Sequence, residues 1–243
     1  MKKYILVLFL NLILTYANAQ NIADPGTFHN TLVDEILNGK YKGNKTLGGY
    51  VNAISSDKFG SNINLSQDLI EKVQKGTKPD NMKVSLINYK GAGLLNDNLF
   101  ILLNSIIDYM LNFPDENILP KSFNQKVDDF TKNLNIESRN TTAISTAISV
   151  LEKSYEHQYQ LDGQADVNNR TRCRGFLRKL CIVLVDFGVT ALFTPIVGPA
   201  GAVILGALYS AAASCCGICC AVTQGCIDSQ LCCITFLMGC ISQ

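Results

Sequence analysis

Apolar residues in the first two thirds of the chain recur at helical rather than strand spacing. Phe28, Leu32, Val33, Ile36 and Leu37 share one face of a helix that opens after the Asp24-Pro25 turn and stops at Gly39. Leu47 to Ile54 and Gln67 to Val73 give weaker helical patterns, parted by the turn-forming run Asp57-Lys58-Phe59-Gly60-Ser61-Asn62. Asn98 to Phe113 is apolar around most of a helix through Leu99, Leu103, Ile106, Ile107 and Met110, and Pro114 ends it. This segment is expected to be the central helix of its domain. Ser122-Phe123-Asn124-Gln125 has capping-box spacing, and Phe123, Val127, Phe130 and Leu134 follow it as a core stripe. Asn140 is placed to cap a further helix in which Ile144, Ile148, Leu151, Tyr155 and Gln158 or Tyr159 line one face. The pattern predicts an all-α fold, with a bundle of four to six helices over residues 20–164.

The pattern changes after the polar stretch from Leu161 to Asn169, which contains Gly163 and is taken as a domain boundary. The second unit, residues 165–243, opens with Arg170, Arg172, Arg174, Arg178 and Lys179, directly before an almost uncharged run from Leu180 to Val222. Cations beside an apolar segment are arranged as expected for docking on anionic lipid headgroups, at about 1 kcal/mol each. Thr194-Pro195-Ile196-Val197-Gly198-Pro199 interrupts the run and predicts a helical hairpin. Its first arm holds one acid, Asp186, costly in hydrocarbon unless it faces a partner or water. Its second arm sets Gly198, Ala202, Gly206, Ser210 and Ser214 four residues apart, hence on one face. Such a face permits close helix approach, either between membrane helices and in self-association or inside a soluble hairpin.

Cysteine usage sharpens this picture. All ten cysteines lie in the second unit: Cys173, Cys181, Cys215, Cys216, Cys219, Cys220, Cys226, Cys232, Cys233 and Cys240. The N-terminus reads as an export signal over residues 1–19, with Lys2 and Lys3, an apolar run from Tyr4 to Leu14, and Ala17-Asn18-Ala19 as cleavage site. In an exported chain clustered cysteines pair as disulfides, so the hairpin is expected to be disulfide-stapled and the protein secreted or extracytoplasmic. Ten cysteines allow about 945 pairings, and the spacing selects none. A zinc site at Cys216 and Cys219 lacks a histidine companion.

Composition and charge narrow the function. Hydrophobic residues make up 47% and charged residues 17%, an apolar balance pointing to lipid contact or dense cross-linking. The net charge of +1 provides no sustained basic face for nucleic acid. His29 and His157, the only histidines, sit among polar helix residues and read as solvated or locally bonded. Lys90-Gly91-Ala92-Gly93 after the candidate strand Val84-Ser85-Leu86 lacks the rest of a phosphate loop, with Asn96 at the third glycine position, and reads as a turn. Asp128 and Asp129 read as a solvated face, and the sequons at Asn44, Asn64, Asn140 and Asn169 match the number an asparagine-rich chain yields by chance. No catalytic, cofactor or metal motif is present, so the chain reads as a non-enzyme without a cofactor.

An exported polar precursor that ends in a small-residue-rich apolar segment with ten cysteines resembles the cysteine-rich bacteriocins of the halocin type. It also resembles secreted bacterial helical proteins with small-residue-rich apolar tails. The first resemblance implies that the tail is an antimicrobial, pore-forming peptide and the preceding bundle its carrier or immunity partner. Both rest on architecture and composition and assign no functional residue. The expected function is membrane interaction through the tail, with anionic lipids as partner. The rival is a secreted structural or binding protein whose cross-linked tail is a compact core.

Overall fold

The computed structural model describes residues 22–44, 46–63, 65–76, 82–113, 118–134, 141–164 and 176–216. Most of these are helical and none lies in a strand, so the fold is all-α. The eight described helices are α1 (Pro25–Leu37), α2 (Leu47–Phe59), α3 (Gln67–Gly76), α4 (Met82–Gly91), α5 (Asp97–Leu111), α6 (Pro120–Lys132), α7 (Thr141–Gln164) and α8 (Phe176–Cys216).

Local chemistry sets the helix ends. Asp24 caps α1 by accepting from the Thr27 N–H at 3.1 Å, and Pro25 stands where a missing N–H costs nothing. Helix α2 runs through Asp57, Lys58 and Phe59, past the expected end, because Gly60 supplies the left-handed conformation (φ 66°) that closes it. Val84-Ser85-Leu86, expected as a strand, is one turn of α4, with Ser85 and Leu86 inward and Val84 and Ile87 outward. Three residues are too few to separate a period of two from one of 3.6. Helix α6 begins two residues before the capping-box sequence, with Pro120 opening it and Leu119 giving no side-chain cap, so Ser122 lies inside the first turn.

The centre of the bundle is α8, where the pattern led one to expect α5. Helix α5 keeps an outer face, with Ile101 61% exposed. By contrast α8 is apolar all round from Ile182 to Ala211 and must be wrapped by other helices. Helices α1 and α7 supply most of that wrapping, α2 and α5 the remainder, and α6 lies on α7. Residues from both sides of position 164 therefore enter one core: Leu32 and Val33 from α1 and Leu151 and Tyr155 from α7 join Val183, Phe187, Ile204 and Leu208 from α8. The change at residue 164 is one of composition along the chain and does not separate two cores.

Gly198 divides α8 into two arms. Its φ of 77° and ψ of 168° are open to glycine almost alone, and they interrupt the helix between Pro195 and Pro199. Pro199 then occupies the start of the second arm, where its lacking N–H breaks no hydrogen bond. The two arms fold back on each other at this one residue, with Ser210 of the second reaching Asp186 of the first.

Candidate functional site

Asp186 is fully buried midway along the first arm of α8, and four helical segments converge on it. Ser154 of α7 donates its hydroxyl to Asp186 Oδ2 at 2.5 Å, and Ser210 of the second arm donates to the same oxygen at 3.1 Å. His29 of α1, 1% exposed, brings Nε2 to 3.7 Å from Asp186 Oδ1. That separation exceeds a hydrogen bond, so His29 and Asp186 act on each other as charges. The carboxylate therefore binds both arms, α7 and α1 to one point.

The imidazole's other nitrogen decides its protonation. Nδ1 lies 3.1 Å from Asn30 Oδ1, whose amide NH2 in turn donates to the Lys153 carbonyl at 2.8 Å. An amide oxygen only accepts, so Nδ1 carries a hydrogen. Nε2 then faces a carboxylate, an orientation favourable only when it too carries one. Burial works against the imidazolium, but the charge of Asp186 and the hydrogen bond to Asn30 outweigh it, and His29 titrates above the ordinary imidazole value.

Gly206 makes this approach possible. A Cβ there would lie 2.8 Å from Thr190 Oγ1 and 3.4 Å from His29 Cδ2. Of the small-residue face, Ala202, Gly206 and Ser210 are buried inside the bundle, Gly198 is the bend, and Ser214 lies near the end of α8. His29 Nε2, Asp186 Oδ1 and Thr190 Oγ1 are buried without a hydrogen-bond partner within the protein.

Other expected residues fall elsewhere. His157, 14% exposed, places Nε2 3.1 Å from Asp34 Oδ1, a second histidine–carboxylate pair between α7 and α1 at the rim. Arg178 and Lys179 lie in the first turn of α8, and Cys181, Cys215 and Cys216 also fall on that helix. Arg170, Arg172, Arg174, Cys173, Cys219, Cys220, Cys226, Cys232, Cys233, Cys240 and the export signal lie outside the described residues. Asp128 and Asp129 are exposed, but Asp128 faces Glu152 on α7; burial first and that charge second push Glu152 up to about 7. An open groove beside the start of α1 is lined by Ile22, Thr27, Phe28, Thr31 and Phe59, with Asp24 engaged in capping. Among the described residues no group of three or more histidine, cysteine or acidic side chains could hold a metal.

Of the two readings of His29, solvated or locally bonded, the first is corrected by its burial against Asp186, and the second describes its contact with the adjacent Asn30. The signal for this was present. His29 stands on the stripe of Leu32, Val33 and Ile36, and a lone acid in an apolar run demands a partner. Comparisons with protein-family models, curated proteins and solved structures give no match.

Proposed function

We propose that this protein is an exported, non-enzymatic membrane-active protein whose apolar hairpin is the effector, carried inside a sheath of amphipathic helices. The observation that carries the reading is a helical hairpin with a single acid between Ile182 and Ala211, long and apolar enough to cross a membrane. At 1.5 Å per residue its arms, 176–197 and 199–216, reach about 33 and 27 Å, against about 30 Å of hydrocarbon. The basic run Arg170 to Lys179 supplies attraction to anionic lipid at the hairpin's entrance. Disulfides among the ten cysteines would hold the tail together outside the cytoplasm, and the reading accords with a bacteriocin-like or pore-forming role.

A second reading is a secreted binding or structural protein whose hairpin stays a core. It is favoured by the burial of 78% of the most apolar stretch of α8. Co-sedimentation and dye release with vesicles of equimolar phosphatidylglycerol and phosphatidylcholine separate the two. Membrane action predicts salt-sensitive binding that falls when the five cations are replaced by glutamine, with little change on neutral vesicles. Wild-type protein that ignores anionic vesicles establishes the core reading.

A further inference from the structure

We infer that His29 and Asp186 form a proton-held latch: protonated, His29 fastens α1 and α7 over the apolar hairpin, and deprotonated, it leaves a lone carboxylate in the core and the sheath loosens. The purpose assigned to loosening, exposure of the hairpin to lipid, rests on the membrane reading above. The latch itself rests on the placement of His29 against the buried Asp186, with the raised titration of His29 beside it.

Every hydroxyl that reaches Asp186 is neutral, so Ser154 and Ser210 can solvate its charge but cannot cancel it. Among the described residues, the charged and titratable groups around α1 leave His29 without a rival. From α8 the facing group is Asp186. From α7, Lys153 pairs with Glu156, while His157 meets Asp34 further along α1. From α2, Asp57 and Lys58 join Lys40 and Glu35 at the surface. Among the described residues only His29 is placed to neutralise the buried carboxylate, and an unpaired buried charge is strongly destabilising.

The direction of the switch follows from linkage. With its native titration raised, His29 keeps a proton that the open state has lost, beginning at the ordinary imidazole value. The latch is therefore fully closed below that value and is lost as pH rises through the native one. It closes in mild acid and opens toward alkaline pH.

The test uses the full-length protein between pH 6.5 and 8.5. Histidine ring NMR, with only two rings to assign, should show His29 titrating above the ordinary imidazole value of about 6.5. Hydrogen exchange, corrected for its intrinsic pH dependence, should show the opening constant of α1 rising by up to about tenfold per pH unit. His29→Gln should give an α1 that is loose at every pH, and Asp186→Asn one that is closed at every pH, since an amide can donate to a neutral Nε2. Should His29→Gln fail to fold, Asp186→Asn and the wild-type titration still decide. A His29 ring already neutral at pH 6.5, or an exchange slope that survives Asp186→Asn, overturns the latch. If the slope follows His29 but vesicles of equimolar phosphatidylglycerol and phosphatidylcholine bind at no pH, the latch stands and the membrane reading falls. Vesicle binding that is equal at both pH limits, with no exchange slope, leaves the membrane reading and removes the latch.

Discussion

Phe123 of α6 and Tyr155 of α7 stack with ring centroids 3.8 Å apart and planes within 7°, and the Tyr155 hydroxyl donates to the Ile118 carbonyl at 2.9 Å. Both rings are fully buried. Phe123→Ala should therefore cost about 3–5 kcal/mol in urea unfolding. Phe130→Ala should cost distinctly less, because that ring is only half-buried where it stacks on Tyr109. Equal costs would show that the stripe is buried along its whole length.

Gly206→Leu should destabilise the protein by about 1–3 kcal/mol, since even its Cβ meets Thr190 and His29. The measurement is a urea midpoint at unchanged slope. A neutral effect would mean that α1 does not sit against the second arm as closely as described.

Glu152 provides a pH dependence separate from His29. Its native carboxyl, raised to about 7 by burial and then by Asp128, keeps a proton that the unfolded chain loses near 4.5. The contribution of this group to stability should fall as pH rises across that window and level off above it, leaving only the change due to His29. Glu152→Gln should abolish the fall and stabilise the protein at pH 8 by about 1 kcal/mol, a figure reduced for the group's partial exposure. Thermal melts from pH 4.5 to 8 provide the check.

Residues 20–164 expressed without the hairpin should lose cooperative unfolding and bind a hydrophobic dye. The stripe of His29, Leu32, Val33 and Ile36 packs on α8, and nothing in the fragment replaces it. A sharp melt from the isolated fragment would show that the sheath has a core of its own.

Alkylation without reductant followed by intact-mass measurement should find few or no free thiols among the ten cysteines. Modification of most of them would remove the disulfide framework proposed for the tail.

Much of the fold was legible because amphipathic stripes survive translation into three dimensions. Leu32 and Ile36, or Phe123 and Val127, announce both a helix and its inward face. What misled was the hairpin. A segment apolar on every side carries no facing information, so the same residues suit a lipid bilayer or the middle of a bundle. The site was hidden for a related reason. His29 and Asp186 each look ordinary or awkward alone, and only the wrapping of α1 on α8 makes each the explanation of the other. The capping-box spacing at Ser122 misplaced a helix start because Pro120 begins a helix without needing a side-chain cap.

The element at the centre of the bundle is also the last of the described helices in sequence. Asp186 follows His29 by 157 residues, so at synthesis rates of about 5–20 residues per second α1 waits roughly 8–30 s for its partner. Through that interval the wrapping helices exist before the thing they wrap, with their apolar stripes bare. Contacts this distant in sequence are slow to close. The nascent chain consequently depends on being held apart from other chains until its final quarter emerges, and its yield should respond to chaperone supply more than its finished stability would suggest.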